Sequence, residues 1–409
     1  MTQKRLSILA LCSCCLLLGA GATFLVEKVS FTRTNPTALP SVQQVPVLSK
    51  GPWGILDELP IPLGNQVDLF VDRPERLRPA NWFFEHYTKG KLEKLLNSCN
   101  LTKAQWALLQ KTNVVTIAPN GIMLAPPDEF VWSLNPFARG KLYEALGEFA
   151  ANYTQNSPFC FAPGRFRERM AATGLPPDQQ TRISSLLYTN NGVLCFSDLQ
   201  LLPGILNSNE LDQVSEALYR VPAYRLRLRV YPDSDIEALV SYWGHSGREK
   251  FIRPMLESLA KVPNRTNGTS VNISFLLPPT ARLRLFTYPN AWAGSEAERQ
   301  DCFWTALNFF HNPPDPKYLD GRRSEESLEL EYQPISTGPA FGDLIVLLGK
   351  NGNGIHACVY VADDFVFTKN GINKLQPWVL MKMSDMLAVF SMEKPARVVT
   401  YRKKESSAK

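Results

Sequence analysis

Three short runs rich in β-branched and aromatic residues, 344–348, 355–361 and 365–369, follow one another with only turn-sized gaps between them. The gaps, Lys350-Asn351-Gly352-Asn353-Gly354 and Ala362-Asp363-Asp364, are made of turn-forming residues. Connections this short cannot return the chain to the start of a parallel neighbour, so the runs must meander antiparallel. A further run at 398–401 supplies a last strand. Ahead of the meander, 301–310 reads as an apolar helix bearing Phe303, Trp304, Leu307 and Phe310. A proline-rich loop, 312–339, with the charged stretch 322–331 inside it, joins the two. A helix packed on a small antiparallel sheet is an α+β arrangement.

Residues 63–284 have another texture. Thr102-Lys103-Ala104-Gln105 has capping-box spacing, in which two side chains satisfy each other's backbone N–H groups at a helix start. Leu142, Ala145, Leu146, Phe149, Ala150 and Tyr153 recur at helical spacing, as do Leu211, Val214, Ala217 and Leu218. Residues 251–259 read as a helix kinked at Pro254. At 224–230, Tyr224, Leu226, Leu228 and Val230 alternate with Arg225, Arg227 and Arg229, as in a half-buried strand. That arginine face is either solvated or a site for an anionic polymer. The expected plan is a proline-rich tether at 27–62, a mostly helical domain at 63–284, a second domain at 285–402 and a solvated basic tail at 403–409.

The start of the chain bears on location. Lys4 and Arg5 precede an uncharged run, 6–26. Ala20-Gly21-Ala22 fits a cleaved signal peptide, whereas 21 uncharged residues fit an uncleaved transmembrane helix that would make the membrane a partner. Either way 1–26 directs the remainder out of the cytoplasm, to a cell envelope or periplasm. The net charge of +6 is small for 409 residues and the basic residues are scattered, which argues against nucleic acid as a partner. With four histidines and no Cys-x-x-Cys spacing outside 1–26, neither a metal nor any other cofactor is expected. Outside 1–26 the cysteines are Cys99, Cys160, Cys195, Cys302 and Cys358, an odd number, and pairing among the first three is open.

Cys302 stands where a helix begins, and a thiolate is favoured by the positive end of a helix and by a nearby imidazole. Phe341-Gly342-Asp343 enters one strand, and His356 opens the next, thirteen residues after Asp343. Cysteine at a helix start, then a strand, then histidine on a strand is the serial order of papain-like sites. Trp292-Ala293-Gly294 lies ten residues before Cys302, followed by Asp301-Cys302, Gly342-Asp343-Leu344 and His356-Ala357-Cys358-Val359-Tyr360. In these motifs the chain resembles the NlpC-type cysteine peptidases, which cleave bacterial cell-wall peptides, over about 285–402. The resemblance implies a papain-like domain acting through a thioester on Cys302, with His356 as general base and then acid. It also implies a peptide, such as a cell-wall peptide, as substrate. Three positions depart from the family: Phe303-Trp304 replaces Ser-Gly, Asn290 replaces tyrosine, and Thr368 stands where a second histidine is usual.

Hairpin geometry supplies the third residue. If 362–364 is a three-residue turn, Val361 pairs with Phe365, Cys358 faces Thr368 and His356 faces Asn370. Asn370 would then orient the imidazole, with Thr368 the other candidate; a two-residue turn would put Lys369 and Gly371 there. Two functions follow: an exported cysteine amidase or peptidase using Cys302, His356 and Asn370, or a catalytically inactive envelope module binding peptide or glycan in a groove built from Trp292, Phe303 and Trp304, with Thr368 also lining the site.

Overall fold

The described residues open on a hairpin, β1 (Val47–Gly51) and β2 (Gly54–Leu63). The computed structural model describes residues 47–63, 80–111, 114–263, 268–289, 300–371 and 376–404. Residues 47–51 and 54–62 of the expected tether are therefore sheet. β2 tolerates Pro60 and Pro62 because β1 reaches only to Glu58, leaving the rest of β2 paired on one side.

Residues 80–218 build the first core. Two three-stranded antiparallel sheets sit in it: β3 (Trp82–Glu85), β4 (Val115–Ala118) and β5 (Gly121–Leu124), then β6 (Phe159–Phe161), β7 (Tyr188–Asn190) and β8 (Val193–Phe196). Helices surround them. The capping box at Thr102 and Gln105 starts α1 (Lys103–Leu109), and Asn135 caps α2 (Pro136–Leu146). Arg139 on α2 is wholly buried, paired with Asp198, which also accepts the Tyr143 hydroxyl at 2.5 Å. Further on come α3 (Arg165–Ala171) and α4 (Ser208–Tyr219), whose buried face is Leu211, Val214, Ala217 and Leu218. The expected all-helical run of 142–153 ends at Gly147.

β9 (Val221–Val230) is the strand read from the Tyr/Leu/Val alternation, and it lies between β2 and β10 (Thr269–Asn272). Two of its three arginines are drawn to one carboxylate, while Arg225 is exposed. Asp57 on β2 takes both oxygens to Arg229 Nε at 2.9 Å and lies 3.5 Å from Arg227. Helices α5 (Ile236–Trp243) and α6 (Glu249–Ala260, carrying Pro254) cover this sheet.

The last sheet is six-stranded and antiparallel: β11 (Tyr332–Ile335), β12 (Leu344–Leu348), β13 (Gly354–Ala362), β14 (Phe365–Lys369), β15 (Trp378–Lys382) and β16 (Arg397–Lys403), in the order β11-β16-β12-β13-β14-β15. The helix α7 (Cys302–Leu307) lies against β13 and β14. Within the expected proline-rich loop the charged stretch forms a helix, α8 (Gly321–Glu331), capped by Asp320. The opposite face of the sheet is covered by α9 (Met383–Val389) and the turn after it. The fold is thus mixed α+β with antiparallel sheets.

Three findings revise the expected plan. Leu276, Leu277 and Ala281 share one core with Leu226, Trp243, Trp304 and Trp378, so the change of texture near 285 is not a break in packing. The basic end is zipped down: Arg402 holds Asp343 at 2.9 and 2.6 Å, and Lys404 Nζ donates to the carbonyls of Glu329 and Leu330. Among the described residues no helix is long and apolar enough to cross a membrane. The run 6–26 lies outside the described residues, and the transmembrane helix and membrane partner expected from it are dropped.

Candidate functional site

Asp301 starts α7, its Oδ1 accepting the Trp304 N–H at 2.8 Å while its carbonyl accepts the Thr305 hydroxyl at 2.7 Å. Cys302 is therefore the first helical residue, as expected, but only 5 % exposed and on a helix of six residues. Burial pushes its thiol up to about 12 and the Asp301 carboxylate adds to this, while N–H groups of Ala357 and Phe303 pull the other way. The short helix does not outweigh these two effects, so the thiol stays protonated near neutral pH.

The strand order of the expected site is present. Gly342 holds φ +94°, and a Cβ there would meet the Phe310 ring at 2.6 Å. Asp343, 4 % exposed, accepts the Ala340 N–H at 2.7 Å and anchors Arg402. The Gly-Asp pair thus shapes the entry to β12. The hairpin after β13 closes on a two-residue turn with Ala362 opposite Phe365, and a bulge at Val361 then restores Tyr360 opposite Val366 and Val359 opposite Phe367. Continued outward, this register sets Cys358 across from Thr368 and His356 across from Asn370, as the three-residue turn required.

Those four residues do share a face, but not the face that meets α7. Ala357, Val359, Val361 and Phe367 pack with Trp304, Ala306 and Leu307 of α7. Cys358, Tyr360 and Val366 pack on the other side with Met381 and Met386. His356 lies there too, opposite Leu347 in register and stacked on Phe390 with ring centroids 4.0 Å apart. Its Nε2 is 3.0 Å from the Thr368 hydroxyl, which lies 3.5 Å from Asn370 Oδ1. In the chain they form, His356 Nε2–H donates to the Thr368 hydroxyl and Thr368 donates to Asn370 Oδ1. The amide of Asn370 reaches Met381 Sδ at 3.8 Å. His356 Nδ1 is buried without a partner, and burial alone lowers the imidazole to about 3. Cys302 and His356 therefore stand on opposite faces of β13, and the expected reacting pair is not assembled.

On the thiol's own face the matching position of β14 is Lys369, wholly buried, its Nζ donating to Gly371 O at 2.6 Å. Burial lowers its ammonium to about 8, against the pull of Cys302 and Asp301. Strand alternation carried the signal for Lys369: it follows Phe365 and Phe367 by steps of two.

Among the described residues of the expected groove, only Phe303 lines the cavity. Trp304 is 3 % exposed, packed near Trp378 with the Arg284 guanidinium over it, and belongs to the core. Thr368 is buried on the far face, and Trp292 lies outside the described residues. Beside Phe303 is a cavity of about 490 Å³, whose walls include Asp301, Glu325, Glu329, Arg397 and Tyr401. Gly354 closes one side, where a Cβ would lie 2.4 Å from the Phe303 ring. Reasoning from the motifs missed Glu325 and Glu329, although their i,i+4 spacing sets two carboxylates on one side of a helix. No group of histidine, cysteine and carboxylate side chains among the described residues is arranged to hold a metal. No family model matches the chain, and neither a curated protein nor a solved structure does.

Proposed function

We propose that this chain is a divergent papain-like module, exported from the cytoplasm, that binds short peptides bearing a free amine rather than cleaving them. The observation that carries the reading is that α7, which bears Cys302, packs on one face of β13 while His356 stacks on Phe390 at the other, with an open cavity beside Phe303. A thiol held near 12 and an imidazole held near 3 leave no thiolate–imidazolium pair at neutral pH. The cavity offers three carboxylates to one guanidinium, with Phe303 and Tyr401 as apolar walls. That balance suits an ammonium group on a peptide more than a neutral glycan. The basic start of the chain followed by the apolar run 6–26 supports export.

Two measurements test this. In the native chain at pH 7, iodoacetamide should leave Cys302 unlabelled; rapid labelling that is lost in His356→Ala would restore the enzyme. Calorimetric titration with a short lysine-containing peptide should show binding that weakens about tenfold or more in the Glu325→Gln/Glu329→Gln double variant. Equal binding by both proteins, or preference for an uncharged oligosaccharide, would remove the peptide reading.

A further inference from the structure

The strongest unassigned chemistry lies away from the cavity, in the small sheet of β6, β7 and β8. Cys160 and Cys195 are direct partners across the β6–β8 ladder, and their sulfurs are 3.6 Å apart. Both are free thiols. Directly opposed residues of an antiparallel pair have Cα atoms roughly 4.5–5.5 Å apart, within the range a disulfide spans. We propose that Cys160 and Cys195 are a redox pair whose oxidised form is a cross-strand disulfide, made by exchange with a low-molecular-weight or protein disulfide.

The two sulfurs are placed for separate roles. Cys160 is half-buried and reachable, whereas Cys195 has no exposed surface. The hydrogen bond with Cys195 lowers the Cys160 thiol from its ordinary value, burial opposes this, and Ser391 assists it; the same bond raises Cys195. Cys160 is thus the attacking thiolate. It displaces one sulfur of the incoming disulfide and forms a mixed disulfide. Cys195 then gives up its proton, attacks Cys160 and expels the second thiol. Two protein thiols lose two protons and two electrons, and the reagent's S–S bond becomes two thiols.

The position gives the bond a mechanical meaning. β6 packs against α9, Asn191 at the end of β7 reaches Ser391 O at 3.5 Å, and neighbouring Phe390 stacks on His356. A link between β6 and β8 therefore fastens the wall on which the covering of the six-stranded sheet rests.

The test uses the full chain. Native protein is incubated with oxidised glutathione, remaining thiols are capped with iodoacetamide after denaturation, and the chain is digested without reductant. The expected product is one cross-linked peptide pair holding Cys160 and Cys195, with a 2 Da mass loss, absent in Cys160→Ser and retained in Cys99→Ser. Oxidation should also raise the melting temperature by several degrees, reversibly with dithiothreitol, in the wild type but not in Cys160→Ser. Capping of both cysteines by iodoacetamide, separate glutathione adducts without a cross-link, or linkage of Cys160 to Cys99 would overturn the proposal.

Discussion

His356 shows how one side chain can be placed correctly by register and still do other work. Alternation along β13 decides that it shares a face with Cys358 and faces Asn370; that much was legible. Which face meets α7 was not, because every residue from His356 to Ala362 is buried and both faces are apolar, so no polarity contrast marks an inside. Burial makes a firm prediction. The folded chain keeps His356 neutral down to about pH 3, while the unfolded chain takes up a proton near 6.5. Its contribution to stability is whole above pH 6.5 and is lost as pH falls from 6.5 toward 3, at roughly 1.4 kcal/mol per pH unit. Between pH 6.5 and 5 this amounts to about 2 kcal/mol. Denaturant titrations should show that loss in the wild type and its absence in His356→Leu. Parallel pH profiles for the two proteins would mean that another group sets the acid sensitivity.

At the scale of elements, strands and caps were the readable part. The capping box at Thr102, the meander over 344–369 and the alternating strand at 224–230 are all where the residue pattern puts them. What failed was reading prolines and charges as signs of irregular chain. Residues 47–63 join a sheet because β9 offers a partner some 160 residues away, and no local pattern reports a distant strand. Residues 321–331 are helical because Asp320 caps them and helix-favouring Glu and Leu fill the stretch. Two substitutions probe these elements. Leu56 of β2 is 2 % exposed in the core that includes Leu228 and Trp243. Leu56→Ala should cost about 2–4 kcal/mol in urea unfolding, whereas a substitution in a tether would cost nothing measurable. Arg165 on α3 holds the buried Asp385 of α9 at 2.9 and 3.0 Å. Arg165→Ala leaves that carboxylate without its cation and should cost about 3 kcal/mol, with α9 amides exchanging hydrogen faster than those of β12. Unchanged exchange in α9 would show that the seam does not depend on this pair.

Across the whole molecule, packing rather than sequence texture sets the boundaries. β9 contributes Val221 and Ala223 to one side of the assembly and Tyr224 to Val230 to another, while Lys382 of β15 holds Glu58 of β2 at 2.8 Å. A fragment of residues 285–409 expressed alone should therefore be insoluble or lack a cooperative transition, whereas 46–409 should melt as a folded protein. A soluble, cooperative fragment would restore the two-domain plan. The β2–β9 pairing also fixes a timetable on the ribosome. At about 5–20 residues per second, β9 is made roughly 10–30 s after β2. Through that interval Leu56 and its neighbours are a nascent hairpin with no sheet to join, so β1 and β2 can become native only after β3 to β8 have been made. Slow translation lengthens the exposure of this segment, and a chaperone that holds nascent strands would find its first client there.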